Sequence, residues 1–269
     1  NAYNALYHSQ IYYCDWDMFW TRHKDAGKHA LLRAISGGPV YVSDKIGETN
    51  AEELLPLCYQ DGRILRMDRC ALPTEDSVFH DPAEPVNIAL TNTVNGTGAV
   101  AVFHLGEVRK EVTTRVSPEQ IEGISGDRFL VYDGVKKEIF QMQMHEGFEV
   151  SVAPDEYTYY LFLPERNQVT PIGLMNKYMS SHAIMELREK ENRTSVLLKE
   201  GGVFGFASDK PIKEIFVNGE SGILKLTKQN ENAPLTLYTI EVEAAGSPVE
   251  VTIYTLSLIH ISEPTRLRC

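Results

Sequence analysis

From Pro73 to Thr255 the sequence is a long succession of short β-prone segments, and this pattern most narrows the folds open to the chain. Each segment is rich in β-branched and aromatic residues, and turn-forming dipeptides separate them. The clearest segments are NIALTNTV, GAVAVFHL, RFLVYD, TYYLFLP, VFGFAS, LTLYTIEVE and VEVTIYT. Such spacing predicts an antiparallel β-sandwich over residues 73–255. Within it, KEIFVNGESGILKLT predicts a β-hairpin with its turn near Asn218 and Gly219.

The first 72 residues show a different rhythm, in which strand and helix signals alternate. Residues 10–15 and 39–44 are β-prone, and residues 24–36 place apolar side chains on one face of a helix. A Gly-Gly pair would end that helix, and Asn50 would cap a second one. Alternating strands and helices with short connections imply parallel strands. Because two such units cannot close a sheet, residues 1–72 are expected to be the tail of a larger α/β domain.

Composition argues against several classes of function. The formal charge is -11 and no basic stripe stands out, so nucleic acid is not expected as a partner. The chain lacks any run of about 18 apolar residues, so a membrane-spanning helix is not expected either. Neither a phosphate-binding glycine loop nor metal-ligand spacing occurs, so we expect no cofactor and no metal. The cysteines are scattered, which favours a reduced chain in the cytoplasm; they are Cys14, Cys58, Cys70 and Cys269.

The segment CDWDMFW holds the residues that most suggest chemistry. Charges beside large apolar rings are costly unless they are paired or used, and sugar-binding clefts combine carboxylates with aromatic faces. On a strand, Asp15 and Asp17 would face the same side with Cα atoms about 6.6 Å apart. Paired carboxylates at such separations perform glycoside chemistry. The alternative, which weighs more, is that both acids bind backbone amides or cap a helix where the strand ends.

Two further candidates lie nearby in the sequence. Ser43 and Asp44 directly follow the second β-prone run, and in parallel α/β folds the residues past a strand's carboxyl end line the functional face. A cluster that caps a helix or forms a turn is an equally weighted alternative. Arg33 lies on the apolar helix and would need a carboxylate partner if it is buried. Asp15, Asp17 and Asp44 are the candidates for that partner.

Three long motifs, CDWDMFW, ALLRAISGGPVYVSDKIG and DGRILRMDRCALPTEDSVFHDP, closely resemble the raffinose synthase and seed-imbibition-protein branch of glycoside hydrolase family 36. SPEQIEGISGDRFLVYDG and PIGLMNKYM are similar to bacterial members of that branch. The resemblance extends over residues 1–255. It implies a (β/α)8 TIM barrel, whose last units would be residues 1–72, followed by a C-terminal β-sandwich over residues 73–255. Residues 256–269 do not continue this pattern and are similar to translated adapter DNA, so we expect a non-native tail there.

The resemblance also implies a retaining mechanism on an α-galactoside. One aspartate attacks the anomeric carbon, and a second protonates the departing oxygen. In the family both aspartates lie upstream of the DWDM motif, in segments that do not occur here, so the nucleophile and the acid/base are expected upstream of Asn1. No catalytic residue is therefore assigned, and the chain alone is expected to be an inactive C-terminal fragment. The resemblance implies a galactoside pocket lined by Asp15, Trp16, Asp17, Ser43 and Asp44.

Several alternatives stay open at this level. Hydrolysis and galactosyl transfer share one covalent intermediate, so the sequence does not distinguish them, and it does not indicate an oligomeric state. A non-catalytic carbohydrate-binding β-sandwich is the alternative function, although both tryptophans, Trp16 and Trp20, lie outside the predicted sandwich. Without the rest of a barrel, residues 1–72 are expected to expose a strand edge and an apolar face.

Overall fold

The computed structural model describes residues 1–81, 84–105, 109–223, 225–229, 235–243 and 248–256. The first part holds the helices α1 (Ala2–His8), α2 (Ala26–Ser36) and α3 (Ala51–Leu54), followed by a 3₁₀ turn at Leu55–Leu57. The remainder is mostly β-structure, interrupted by helix α4 (Glu75–Val78) and by 3₁₀ turns at Pro118–Gln120 and Ser180–Ala183. Across the described ranges, every helix falls short of the length and apolarity that a bilayer crossing requires.

The strands follow one another at short intervals, as the turn signals predicted. Those in the described residues are β1 (Leu72–Pro73), β2 (Val86–Val94), β3 (Thr97–Leu105), β4 (Val112–Val116), β5 (Arg128–Asp133), β6 (Glu138–Gln143), β7 (Phe148–Val152), β8 (Tyr157–Pro164), β9 (Thr170–Leu174), β10 (Ile184–Lys190), β11 (Arg193–Leu198), β12 (Gly202–Ser208), β13 (Ile212–Val217), β14 (Glu220–Ser221), β15 (Lys225–Gln229), β16 (Thr236–Val242) and β17 (Val249–Thr255).

These strands pair only in antiparallel fashion within the described ranges, which confirms the predicted all-β part of the fold. A six-stranded sheet has the order β1-β2-β3-β8-β5-β6, and β4 pairs separately with β7. A five-stranded sheet has the order β10-β11-β17-β13-β14, and a four-stranded sheet has the order β15-β16-β12-β9. The β-part is therefore built from two pairs of sheets that follow each other along the chain.

The six-stranded sheet has apolar side chains on both faces, and each face has a different cover. One face packs against the β4-β7 pair, where Val100 and Phe129 meet Val150. The other face receives helix α2, whose Leu31 belongs to the same buried cluster as Phe103. Each such fully buried side chain contributes about 1.5–3 kcal/mol. Helix α2 and the six-stranded sheet consequently share one hydrophobic core.

The second pair of sheets encloses a separate core. Phe204 and Phe206 of β12 project from the four-stranded sheet, and their rings stack with centroids 5.8 Å apart. They meet Val196, Val251 and Ile253 from the five-stranded sheet, and all of these side chains are buried. This face-to-face packing of two antiparallel sheets confirms the predicted sandwich architecture, although a single sandwich was expected over residues 73–255 and two pairs of sheets are found among the described residues.

Both helix predictions in the first 72 residues are confirmed. Helix α2 ends as expected because Gly37 adopts a left-handed conformation with φ of 74°. The side-chain amide of Asn92, on β2, donates to the carbonyl of Ile35 at 2.7 Å and so satisfies one of the helix's terminal acceptors. Asn50 caps α3 by accepting from the Glu52 amide at 3.2 Å.

The two strands predicted at residues 10–15 and 39–44 are not formed as regular strands, and this expectation was wrong. Residues 10–15 are turn and irregular backbone, and the parallel pairing is reduced to one bridge between Phe19 and Val42. A parallel pair depends on flanking strands and on helices that cover both faces. Within the described ranges, Phe19 and Val42 have only each other as parallel partners, so a single bridge is all that forms.

The predicted hairpin is confirmed at its turn but is shorter than expected. Asn218 and Gly219 have φ of 50° and 85°, as a two-residue turn between paired strands requires. Among the described residues, which leave out position 224 of the predicted hairpin, two pairs follow the turn, namely Val217 with Glu220 and Phe216 with Ser221. The chain then leaves this sheet, because β15 pairs with β16 in the four-stranded sheet.

A buried polar junction ties the first part of the chain to the second sandwich. The Lys177 ammonium donates to the carbonyls of Leu55 and Cys58 at 2.8 and 2.5 Å and lies 3.1 Å from a carboxylate oxygen of Glu200. The other Glu200 oxygen accepts from the Gln60 amide at 2.6 Å. Both charges are almost fully buried, and their remaining hydrogen-bond capacity is directed at backbone groups of the first part. Such a junction fixes the position of residues 55–60 against the sandwich.

Candidate functional site

The backbone of the segment that carries Asp15 and Asp17 is hydrogen-bonded to the side chain of Arg33, which lies on helix α2. The guanidinium donates to the carbonyls of Trp16 at 2.7 Å, Asp17 at 3.2 Å and Met18 at 3.3 Å. It also lies 5.1 Å above the ring of Phe19, and the side chain is only 7% exposed. Burial lowers the pKa of Arg33, while the charge of Asp17 acts in the opposite direction.

The expectation that buried Arg33 takes a carboxylate partner was wrong. The ion pairs found among the described residues do not include Arg33, and backbone carbonyls accept its hydrogen bonds instead. A guanidinium offers five N–H donors in a fixed plane, which suits a turn of backbone whose carbonyls converge. The three acidic side chains named as its candidates are therefore available for other contacts.

Asp15 is an exposed carboxylate with a fixed orientation. The hydroxyl of Tyr41 donates to both of its oxygens, at 2.9 and 2.7 Å, and the amide of Asp17 donates to Oδ1 at 2.8 Å. The hydrogen bond to Asp15 is the main reason that the pKa of Tyr41 is raised. The tyrosine consequently stays protonated and keeps donating. Oδ1 accepts two of these hydrogen bonds and Oδ2 accepts one, so Oδ2 is the oxygen that keeps capacity for a further donor.

Asn1 lies beside the same turn. Its side-chain amide donates to the backbone carbonyl of Asp15 at 2.5 Å. Asn1 is also the residue that precedes helix α1, although its side chain makes no capping hydrogen bond to that helix. The expectation that the catalytic aspartates lie upstream of Asn1 stays a prediction, because the described residues begin at Asn1 itself.

Asp17 does not stand beside Asp15 as the strand interpretation required. Its backbone is left-handed, with φ of 66°, so the alternation that places residues i and i+2 on one side is broken. Its own Oδ1 accepts from the Met18 amide at 2.7 Å. The paired-carboxylate interpretation is wrong, and the alternative in which both acids bind backbone amides is confirmed.

Asp44 is used to clamp two loops together. Its two oxygens accept from the backbone amide of Thr21 at 2.8 Å and from the Thr21 hydroxyl at 2.9 Å. The Thr21 hydroxyl also accepts from the backbone amide of Asn50 at 2.7 Å, which links Thr21 and Asp44 to the start of helix α3. The neighbouring Ser43 donates its backbone amide to the carbonyl of Phe19 at 3.1 Å. The turn alternative for Ser43 and Asp44 therefore describes their contacts better than a direct role in chemistry.

The structure brings together only part of the predicted set. Asp15 and Asp17 share one turn, Trp16 is half-buried against the core between them, and Ser43 and Asp44 form the clamp. The described residues hold no group of three or more histidine, cysteine, aspartate or glutamate side chains that converges as a metal site would.

Sequence reasoning missed Tyr41, which orients the Asp15 carboxylate. The residue lies in the β-prone run 39–44, immediately before Val42, and the bridge between Val42 and Phe19 brings it alongside the DWDM segment. Parallel pairing between the two β-prone runs was predicted, but its register was not. Knowledge of that register is what would have identified Tyr41.

Several apolar side chains around this turn are exposed to solvent. Met18 and Trp20 are about half exposed or more, and Ile46, which follows the clamp, is 99% exposed. We call the exposed large apolar side chains of the first 46 residues the apolar face; they are Leu6, Tyr7, Ile11, Tyr12, Tyr13, Met18, Trp20, Tyr41 and Ile46. Carboxylates and aromatic rings thus occur together in this part of the chain, as a surface that binds sugars requires.

Comparison with known proteins gives one family and several relatives. The family model described as raffinose synthase or seed imbibition protein Sip1 matches residues 1–105 and 97–237. A galactinol–sucrose galactosyltransferase of Pisum sativum is 33% identical over 249 residues, covering 78% of this chain and 31% of the relative. The enzyme of the same name from Oryza sativa subsp. japonica is 32% identical over 258 residues, covering 83% of this chain and 33% of the relative.

The chain spans about a third of the length of these curated relatives. Among solved structures, a candidate α-N-acetylgalactosaminidase of Bacillus halodurans aligns with 54% of this chain and 34% of its own, at 17% identity and a TM-score of 0.40. That score is too low to support a fold assignment. The family match extends over most of the sequence and includes every candidate residue discussed above, so the chain belongs to the raffinose synthase and seed imbibition protein Sip1 family.

Proposed function

We propose that this chain forms part of an enzyme that removes the galactosyl group from an α-galactoside and passes it to another sugar or to water. Family membership supports the chemistry, and the names of the relatives describe galactosyl transfer from galactinol to sucrose. The observation that carries the assignment to this surface is the Asp15 carboxylate, which is exposed and oriented by Tyr41 and by the Asp17 amide.

Asp15 is well suited to hold a sugar hydroxyl. A carboxylate accepts hydrogen bonds only, and a bond to a charged acceptor contributes about 1.5–3 kcal/mol. Because Tyr41 and the Asp17 amide already fix its rotation, little side-chain entropy remains to be lost on binding. Trp20 and Met18, exposed on the same stretch of chain, offer apolar surface for the C–H face of a pyranose.

The domain division follows from the same proposal. Residues 1–72 would complete a (β/α)8 barrel, and residues 73–255 would form the sandwich that packs against it. The nucleophile and the acid/base would come from a segment upstream of Asn1, and the chain alone would be inactive. One support is that this chain aligns with only about a third of the relatives' length. A second is that the carboxylates of Asp15, Asp17 and Asp44 already accept hydrogen bonds from backbone amides.

The location proposed for this enzyme is the cytoplasm. Cys14, Cys58 and Cys70 are free thiols, and free thiols are typical of a reducing compartment.

The first test is an assay of the longer protein that contains this chain, with galactinol or 4-nitrophenyl α-galactoside as donor and sucrose or water as acceptor. Transfer to sucrose identifies a synthase, and galactose release identifies a hydrolase. Transfer to neither acceptor would contradict the proposal, and so would galactose release by residues 1–269 alone.

The second test is the substitution Asp15→Asn in that longer protein. Asparagine keeps an oxygen for the Asp17 amide but lacks the charge, so kcat/KM is expected to fall about 10- to 100-fold. Asp155→Asn is the matched control, because Asp155 is an exposed acid of the sandwich that pairs with Arg109. Equal effects of the two substitutions would remove Asp15 from the proposed sugar site.

A further inference from the structure

A cavity lies in the sandwich where the first pair of sheets meets the second. It has a volume of about 250 Å³. Its walls come from the turn between β2 and β3, from the β8–β9 connection and from the start of β10. None of the five candidate residues of the DWDM region lines it, so an inference about this cavity does not depend on the function proposed above.

The wall of this cavity includes Ser181, whose buried side-chain hydroxyl has no hydrogen-bond partner. The side chain is 2% exposed, it lines the cavity, and its Oγ has no hydrogen-bond partner. A buried hydroxyl without a partner costs about 1–3 kcal/mol. The backbone beside it is tied to the β2–β3 turn, since the side-chain amide of Asn95 donates to the carbonyls of Ser181 at 2.9 Å and Ile184 at 3.0 Å. The free hydroxyl is therefore held in place by its own backbone.

The other polar groups of the cavity are mainly hydroxyls. Thr97 and Thr170 line it beside Ser181. The Thr170 oxygen accepts from the Arg166 amide at 3.1 Å, which leaves the hydroxyl proton to be donated. Hydroxyls both donate and accept, so a wall of this kind is matched by a molecule whose own groups do the same.

The charged residues at the cavity are already paired. The Arg166 guanidinium lies 3.5 Å from Glu189, and Glu186 holds Arg188 through two contacts of 2.6 and 2.8 Å. The described lining therefore has no surplus charge of either sign to attract an ion. The apolar wall between the hydroxyls is supplied by Pro164, Pro171, Ile184 and Leu187.

We propose that this cavity binds a neutral polyhydroxylated molecule the size of one sugar ring. The volume corresponds to about eight water molecules at roughly 30 Å³ each, which suits one sugar ring. The apolar wall packs against the C–H groups of the ring. The Ser181 Oγ exchanges a hydrogen bond with one of its hydroxyls, and the buried group thereby gains the partner it lacks.

The test is a titration of the ¹⁵N-labelled chain with D-galactose, followed by amide chemical shifts. Shifts are expected around Ser181 and Ile184, with a dissociation constant on the order of millimolar because the ligand is small. Ser181→Ala is expected to weaken binding about fivefold. The variant should fold, because removing a buried hydroxyl without a partner leaves no new group unsatisfied.

Thr194→Val is the matched control. Thr194 is 1% exposed, its hydroxyl also lacks a partner, and it lies on β11 away from the cavity lining. Binding is expected to be unchanged in this variant. The proposal is overturned if no sugar shifts these amides, which would mean that the cavity holds water only. It is also overturned if both variants weaken binding equally, or if inorganic phosphate displaces the sugar.

Discussion

At the scale of single residues, Arg33 is the side chain on which the DWDM turn depends. Its guanidinium holds the carbonyls of three consecutive residues, Trp16, Asp17 and Met18. Three carbonyls that point to one spot repel each other unless a donor lies between them. The left-handed backbone of Asp17, which presents Asp15 outward, is thus supported by a cation on a neighbouring helix.

We expect Arg33→Met to lower the free energy of unfolding by about 1–3 kcal/mol, since three partly buried carbonyls would lose a charged donor. Methionine keeps most of the length of the side chain, so the loss reports on hydrogen bonding more than on packing. Urea unfolding followed by circular dichroism measures it. Arg188→Met, at an exposed position, should change stability by less than about 1 kcal/mol. Equal losses in the two variants would contradict this role for Arg33.

At the scale of elements, the contact between Tyr59 and His182 joins the first part of the chain to the start of β10. The Tyr59 hydroxyl contacts both Nδ1 and the carbonyl oxygen of His182, the latter at 2.9 Å. Burial, together with the nearby charges of Lys199 and Arg63, lowers the pKa of His182 to about 4. The folded protein therefore holds this histidine neutral under conditions in which the unfolded chain protonates it.

This contact predicts a pH dependence of stability. An unfolded histidine has a pKa of about 6.5, so below that pH the unfolded state binds a proton that the native state does not. Stability should fall as the pH decreases from about 6.5 to about 4, by about 3 kcal/mol at most. Urea unfolding at several pH values in this window measures the fall. His182→Gln should flatten the curve relative to the wild type, and identical curves would show that His182 does not titrate in this way.

Elements were predictable from sequence where local chemistry decides them. Gly37 ends a helix and Asn50 begins one, because each supplies a conformation or an acceptor that the next turn needs. The prediction of strands at residues 10–15 and 39–44 was wrong because a parallel strand is stabilised by neighbouring strands that are far away in sequence. The switch of the chain after Ser221 from one sheet to the other was missed for the same reason.

The candidate site was predictable in part. The carboxylates were found because acids among aromatic rings are unusual, whereas their hydrogen bonds depend on the αL backbone of Asp17, which no local pattern signals. Tyr41 was missed because its contact with Asp15 spans 26 residues.

At the scale of the whole molecule, the apolar face of the first 46 residues is uncovered. Ile46 is 99% exposed, Ile11 84% and Tyr7 78%, and smaller exposed fractions are found for the other members. Exposed apolar area of this kind marks a surface that another protein segment or a ligand covers. Isolated in solution, the chain should therefore associate with itself.

We expect residues 1–269 to show a mass that increases with concentration in sedimentation velocity experiments. The double substitution Ile11→Lys and Ile46→Lys should reduce this association without loss of stability, because both side chains are exposed. Phe79→Lys is the matched control, since Phe79 is 85% exposed but lies outside the apolar face. Association that persists in the double variant and disappears with Phe79→Lys would locate the contact elsewhere.

The shared core of helix α2 and the six-stranded sheet has a consequence for protein engineering. A chimera that joins the N-terminal part of one family member to the β-part of another needs a crossover point, and the change of sequence pattern near Pro73 suggests one there. A crossover there would take Leu31 and Phe103 from different parents, and likewise the Ile35 carbonyl and the Asn92 side-chain amide that donates to it. The unit that can be exchanged intact is the β-part together with helix α2 and the turn that Arg33 holds, so the productive crossover lies upstream of Asp15.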